Sequence, residues 1–525
     1  MIHGKNRIGY SLSSNGSKSF KAFNPSELKE LDECFFMATV NEIEQTMEKA
    51  YEAYSIYKHF TGKQKAIFLE AIADEIIKLG NPLIERVAAE SGLTETRIKS
   101  ERDRTIWQLK IYSQLLLEGS WVEASIDKPI PTRQPGPKPD LRKMLRPIGP
   151  IIVFSASNFP LAYSTCGSDT ASALAAGNPV IVKAHPSHPG TNLLVAEAIN
   201  AAALKTGMPD GVFSTLYDDG FEVGIKLVKH PLTKAVAFTG SYSGGMALLQ
   251  ASRERVEPIP VFAEMGSLNP IVLLPNKLKN NFAEIAKTLV NSVTNGMGQF
   301  CTKPGLIVSI DNEALNHFIQ ELSLEISKVN PSTLINKNIW ENFHQKRGKM
   351  LNEKSVALIY ESTDSKTNLK GIPTLACVNF KSFKENPHLH EEVFGPFSLI
   401  VKCKDYTELE SFAREIKGQL TVSIFGNEEE LNENKNLLQI LEEKAGRIIF
   451  NGPPTGVEVC SSIVHGGPFP ATTNGQYTSV GQEAIKRFVR PVAFQNTPQF
   501  ILPDELKDGN PLKIWRLMDG MFGKE

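Results

Sequence analysis

Nowhere in its 525 residues does the sequence hold an apolar run approaching the roughly 20 residues needed to span a bilayer. Its start, MIHGKNRIGYSLSSNG, lacks the apolar core of a signal peptide. The net charge is only −1, which gives no electrostatic footprint for nucleic acid or an anionic membrane. Small molecules are the expected partners. The six cysteines (Cys34, Cys166, Cys301, Cys377, Cys403 and Cys460) have none of the short spacings of a zinc site or a disulfide framework. No metal site is expected, and free thiols in a reducing cytoplasm are the default. Internal repeats and low-complexity tracts are also missing.

The length calls for two to four domains. The first third reads as helical. Ile43, Met47, Ala50, Tyr51 and Tyr54 recur at helical spacing, and Thr39 with Glu42 forms a candidate capping box. A second helix, AIFLEAIADEIIKL, ends at GNP. Residues 127–142 hold five prolines and read as an extended excursion or hairpin. From residue 150 the apolar runs PIIVFSAS, PVIVKAH, GVFSTLY and AVAFTGS each lead into a helical stretch, which predicts a doubly wound parallel sheet. GLIVSI, PFSLIVKC, LTVSIFG and GRIIFNG resume the rhythm, so two α/β domains are expected, with Cys301 near the start of the second.

Several residues could carry chemistry. Cys301 lies in NGMGQFCTKPG, a loop of glycines and small polar residues rather than an apolar element. It is either a small loop residue of no consequence or a nucleophile, which needs a lowered thiol pKa and a partner base. Cys166 and Cys403 sit in apolar-periodic elements and read as core. Glu264 ends the apolar strand of PVFAEMGSLNP, where a partly apolar cleft should raise its pKa and suit it to general-base work; most other carboxylates read as solvated. Asn158, in SASNFPL, is an Asx-turn residue or an amide donor for an oxyanion. No G-x-G-x-x-G follows the first strand, but FTGSYSGG follows a strand and opens a helix. Its amides suit a phosphate, although a tight turn explains the glycines equally well. Lys183 ends the strand VIVK as a ligand-facing cation or a surface lysine.

Taken together, SNFPL, FTGS, EMGSLNP, GQFCT and EEVFGP occur in the order and spacing of the NAD(P)-dependent aldehyde dehydrogenase superfamily, which the chain resembles over nearly its whole length. The resemblance implies an α/β fold with a Rossmann-like cofactor domain (1–126 and 148–267) and an α/β catalytic domain (268–465). It also implies a small oligomerisation element (127–147 and 485–500), a C-terminal tail (501–525) and assembly as a homodimer or homotetramer. Cys301 is then the nucleophile, Asn158 the oxyanion donor and Glu264 the activator of the hydrolytic water. Glu392 and Phe394 would hold the nicotinamide ribose and ring. Ser155, Gly240, Ser241 and Gly245 would line the cofactor site about the pyrophosphate, and Lys183 would reach the adenosine ribose.

Departures from the family pattern refine these expectations. The usual glycine pair after the glutamate reads Gly266-Ser267. Pro186 stands near where many NAD-preferring members carry a glutamate, so NADP is the expected cofactor and NAD the alternative. ASNFPLAYSTCGSDTASALAAGNPVIVKAHPSHPG and FNGPPTGVEVCSSIVHGGPFPATT resemble the branch that contains 2,5-dioxovalerate dehydrogenases and a fatty-aldehyde relative. In that branch a histidine near the cysteine matches His465, which would tune Cys301 or Glu264, unless it is simply a packed histidine. The resemblance implies oxidation of 2-oxoglutarate semialdehyde, with a fatty or general aliphatic aldehyde as the alternative. A catalytically silent binding protein on the same fold is the remaining reading, and retention of Cys301, Glu264 and Asn158 weighs against it.

Overall fold

Ile151–Phe154 is apolar throughout, as a strand covered on both faces must be. Ile151 and Val153 enter one core with the helices Gly62–Lys78, Glu95–Glu118, Ser168–Ala176 and Pro189–Lys205. Ile152 points the opposite way, into a core with Val40–Tyr57, Glu222–Lys229 and Tyr242–Arg253. This alternation makes the first sheet doubly wound. In the computed structural model, which describes residues 2–363 and 368–524, that sheet has seven strands. Their order is Val261–Glu264, Ala235–Thr239, Ile151–Phe154, Val180–Lys183, Phe213–Leu216, Asn6–Ile8 and Ser11–Ser13. The first five run parallel and the last two add an antiparallel edge. The chain proceeds from Ile151–Phe154 first to one side and then to the other. A switch-point crevice therefore opens between the ends of Ile151–Phe154 and Ala235–Thr239, where ligands of such sheets bind.

The second sheet also has seven strands: Ala357–Glu361, Thr374–Asn379, Phe397–Cys403, Leu306–Ile310, Ile271–Leu273, Gln419–Phe425 and Ala445–Phe450. All are parallel except the first. Val272, Val308 and Val401 face one core, and Ile271, Ile307 and Ile400 face the other. The sheet takes in Ile271–Leu273 and the helix Pro275–Thr294 before Cys301 is reached, so the cysteine follows its first strand.

Residues 127–142 form a hairpin, with Ile130 bridged to Lys138. Its arms Ser125–Asp127 and Leu141–Pro147 belong to a five-stranded sheet with Val489–Gln495. The C-terminal segment adds Arg516–Met518 and Met521–Gly523 to the same sheet.

The expectation of a helical first third holds from Val40 to Glu118 and is corrected before that. Thr39 and Glu42 do make a full capping box at the start of Val40–Tyr57. Before it, however, residues 6–36 form four strands. Two are three-residue strands whose placement depends on distant partners, such as Arg7 opposite Thr215. The other two, Ser19–Asn24 and Lys29–Phe36, form an antiparallel hairpin with alternating burial.

Candidate active site

The Cys301 loop follows a turn at Asn295–Gly298 in which Gly296, Met297 and Gly298 all have φ between +53° and +66°. At Gly298 a Cβ would stand 2.3 Å from the Gly395 carbonyl oxygen, so only glycine lets the two loops approach. Asn269 fixes the far side, donating through Nδ2 to the carbonyls of Cys301 (2.8 Å) and Lys303 (3.0 Å). Asn158 Nδ2 donates to the Gln299 carbonyl at 3.0 Å, inside the same loop. An amide has two N–H donors, so one remains for a ligand at Cys301.

The strand Val261–Glu264 delivers Glu264, and residues 465–479 wrap back onto it. Met265 N–H donates to the Ala471 carbonyl at 2.8 Å, and Ala263 N–H to Thr473 Oγ1 at 2.9 Å. The wrap brings in His465, which is 1% exposed. Its Nε2 lies 3.4 Å from Cys301 Sγ and 3.0 Å from Glu264 Oε1. Nε2 therefore touches both the thiol and the carboxylate, and it can accept the thiol proton in the tautomer that carries the ring proton on Nδ1. Ser479 Oγ is 2.8 Å from Glu264 Oε2 and 2.9 Å from the His465 carbonyl, so its single proton is shared between them. The Cys301, His465 and Glu264 donor atoms lie within 4.8 Å of one another, a grouping that a metal ion could also use and that the cysteine spacing does not signal.

Two electrostatic expectations are reversed. Burial pushes the Cys301 thiol well above its ordinary value, and the Glu264 charge raises it further, with Arg104 opposing. The resting sulfur is therefore a protonated thiol, and a base must take its proton. Burial also pushes Glu264 up, but the His465 charge and the hydrogen bonds from His465 and Ser479 outweigh it, leaving the carboxyl below its ordinary value. Glu264 is thus ionised at neutral pH, the form a general base needs.

Four of the cofactor residues expected from sequence, Ser155, Gly240, Ser241 and Gly245, lie on the two elements that flank the switch-point crevice. Ser155, directly after Ile151–Phe154, is buried with a hydroxyl that has no protein partner. Opposite it, Gly240 and Ser241 end Ala235–Thr239, and Ser241 Oγ caps the helix Tyr242–Arg253 by accepting from Gly244 N–H at 3.2 Å. Gly245 lies buried in the first turn of that helix. An orphaned hydroxyl and a helix N-terminus at the ends of adjacent strands fit a dinucleotide phosphate. Lys183 is buried, and its Nζ spends one of three donors on the Asp218 carbonyl at 2.9 Å. Glu392 packs against Gly266, where a Cβ would come within 2.3 Å of Oε2. Phe394 is part-buried two residues on. Burial raises the Glu392 pKa, while the neighbouring Lys303 and Lys346 charges oppose the shift.

Sequence reasoning missed Ser479 and Asn269, as well as three arginines near the cysteine, Arg97, Arg104 and Arg447. Asn269 lies within the quoted motif EMGSLNP and could have been read there. The others carry no local signal. No helix among the described residues is long and apolar enough to cross a membrane.

Residues 12–491 match the sequence profile of the Aldehyde dehydrogenase family. The chain is 45% identical over 520 residues to alpha-ketoglutaric semialdehyde dehydrogenase 2 of Azospirillum brasilense, covering 99% of each chain. It is 42% identical over 521 residues to the alpha-ketoglutaric semialdehyde dehydrogenase of Acinetobacter baylyi, again covering 99% of each. In fold it is similar to betaine aldehyde dehydrogenase from Staphylococcus aureus in complex with NAD+, with a TM-score of 0.81 and 18% identity, over 95% of this chain and 96% of that one. A 1-pyrroline-5-carboxylate dehydrogenase from Thermus with bound NAD gives a TM-score of 0.78 and 20% identity, over 94% and 93%. The profile match and the two full-length relatives agree with the assembled cysteine, glutamate and asparagine: the chain belongs to the aldehyde dehydrogenase family.

Proposed function

We propose that this protein oxidises 2,5-dioxovalerate (2-oxoglutarate semialdehyde) to 2-oxoglutarate through a Cys301 thiohemiacetal and thioester. The observation that carries the chemistry is the contact of His465 Nε2 with both Cys301 Sγ and Glu264 Oε1. The likeness to two alpha-ketoglutaric semialdehyde dehydrogenases over the whole chain supports the choice of substrate.

Cys301 Sγ attacks the aldehyde carbon as His465 Nε2 takes the thiol proton. The resulting oxyanion accepts hydrogen bonds from the second Asn158 N–H and from the Cys301 backbone N–H. Ser155, Gly240, Ser241, Gly245, Glu392 and Phe394 would hold a nicotinamide dinucleotide, which would supply the hydride acceptor. Cys301 then carries a thioester. Glu264, ionised and oriented by Ser479, takes a proton from the attacking water. The tetrahedral adduct expels the sulfur, which takes back the proton held on His465, the carboxylic acid leaves, and Glu264 gives its proton to solvent.

NADP is the preferred cofactor in this reading. Pro186 brings no carboxylate of its own to the segment after Lys183, and Lys183, which feels the Asp218 and Asp219 charges, keeps two donors beyond its contact with the Asp218 carbonyl. The protein works as a homodimer or homotetramer through the five-stranded sheet, and the exposed Phe500, Met521 and Phe522 supply apolar area near it. Six unpaired cysteines support a reducing, cytoplasmic setting. The test is kcat/KM for semialdehyde acids and for aliphatic aldehydes of increasing length, with both cofactors. The proposal requires 2,5-dioxovalerate with NADP to lead. Decanal ahead of every semialdehyde acid would reject the substrate, and NAD equal to or ahead of NADP would reject the cofactor.

A further inference from the structure

The helix Glu95–Glu118 places Arg97 and Arg104 two turns apart, on one face. The Arg97 guanidinium carbon lies 4.3 Å from the Phe300 ring and 4.5 Å from the Phe159 ring. Phe300 precedes Cys301 and Phe159 follows Asn158, so this cation is clamped between the residues flanking the nucleophile and the oxyanion donor. Arg104 donates to the Val457 carbonyl and, at 3.2 Å, to the Tyr163 hydroxyl, whose ring is 6.2 Å from that of His465. Arg447, on Ala445–Phe450, donates to the carbonyls of Gly456 (3.0 Å) and Pro454 (2.7 Å). Arg104 and Arg447 therefore grip the neighbouring residues Val457 and Gly456 from two elements.

The charges around these three guanidinium groups do not balance. Two enclosed carboxylates lie in the same neighbourhood: Glu101, whose Oε2 is 3.6 Å from Arg97 Nε and whose Oε1 accepts from the Leu161 and Ala162 N–H groups, and Glu264, which acts on Cys301 and Tyr163 as Arg104 does. Glu458 is exposed and accepts from Val459 N–H. Arg97 Nη2, Arg104 Nε and Arg447 Nε are enclosed without an acceptor. Enclosed charge is costly unless an opposite charge completes it. Pinning the 454–457 loop accounts for the carbonyl contacts of Arg104 and Arg447, but neither for Arg97 nor for the excess positive charge. A thiolate at Cys301 would act on Arg97 and Arg447, and Arg104 acts on the thiol, so all three lie within electrostatic reach of the reacting sulfur.

We propose that Arg97, with Arg104 and Arg447 behind it, forms a carboxylate-binding subsite that holds the acid end of a short aldehyde substrate while its aldehyde meets Cys301. Planar guanidinium groups fixed by aromatic rings and carbonyls suit a carboxylate. The inference rests on the semialdehyde-acid reading above and assigns the residues that make the choice.

The test compares 2,5-dioxovalerate with pentanal, which has the same five-carbon chain without the acid. For Arg97→Gln the ratio of kcat/KM for acid over pentanal should fall about 10- to 100-fold, the range for losing a charged hydrogen bond, mainly through KM. Arg97→Lys should recover part of it. A ratio unchanged within about threefold in Arg97→Gln, Arg104→Gln and Arg447→Gln alike overturns the subsite. Should the glutamine variants not fold, wild-type turnover of pentanal must be inhibited competitively by glutarate and not by glutaramide. Equal inhibition by both, or none by glutarate, refutes the proposal. Wild-type preference for pentanal over 2,5-dioxovalerate would instead reject the substrate reading, and glutarate inhibition then decides the subsite by itself.

Discussion

Replacing His465 with Gln removes the ring nitrogen that touches both Cys301 and Glu264 while keeping most of the volume of a buried side chain. An ordinary thiol near pKa 8.5 is only about a tenth ionised at pH 7.5, and each unit of upward shift costs another factor of ten. Cys301 is pushed well above its ordinary value, so without a base almost no thiolate exists. Losing a general base slows its step by about 10²–10⁴, roughly 3–5 kcal/mol of barrier. The burst of reduced cofactor, measured by stopped flow at 340 nm, should slow by that factor. A second effect follows at Glu264. When the His465 ring is protonated, as it is after taking the thiol proton, its charge is the largest influence holding the Glu264 carboxyl down against burial. Without it the carboxyl pKa rises, and because the ionised form exists only above that value, the acid limb of kcat, which contains deacylation, moves to higher pH. A burst rate within about threefold of wild type and an unmoved acid limb would falsify the role of His465 as base. Thermal midpoints for both proteins control for folding.

Asn158→Ala should slow the burst by about 3–4 kcal/mol, the usual cost of one oxyanion donor, and an unchanged burst rate removes Asn158 from the oxyanion site. Ser479→Ala takes one hydrogen bond from Glu264 Oε2, so the acid limb of kcat should shift upward while the burst stays fast; a slowed burst with a fixed limb contradicts this. Alkaline stability offers a separate check on the buried thiols. Burial pushes Cys403 up to about 12 from an ordinary value near 9. Such a group contributes stability that is complete below 9 and lost towards 12, at up to about 1.4 kcal/mol per pH unit. Urea midpoints between pH 8 and 10.5 should therefore fall less steeply in Cys403→Ala than in wild type, and parallel slopes refute the assignment.

What the sequence made legible was what neighbouring residues decide. The Thr39–Glu42 cap, the βα alternation after residue 150, and the turns holding Asn158, Ser241 and Cys301 all depend on local patterns. The strands at 6–36 were hidden because three-residue edge strands are specified by their partners, here Thr215 opposite Arg7, rather than by their own periodicity. The sign of the Glu264 shift was hidden for a related reason. Its apolar strand suggests desolvation, but His465 and Ser479 arrive from a segment far along the chain and reverse the outcome. Arg97 and Arg104 look like the solvated face of a helix until the fold sets Phe159, Phe300 and Tyr163 against them.

The central claim, a covalent intermediate on Cys301 that Glu264 helps hydrolyse, is tested most directly with Glu264→Gln. With His465 still beside the sulfur, acylation should survive and deacylation should slow by about 10²–10⁴. The variant should then give up to one equivalent of reduced cofactor per site in a rapid burst, followed by slow turnover. Quenching at the end of the burst and digesting for mass spectrometry should locate the acyl group on Cys301 and leave Cys460 unmodified. An acyl group on Cys460, or a Glu264→Gln enzyme that turns over at a near-normal steady rate with no adduct, would contradict the account.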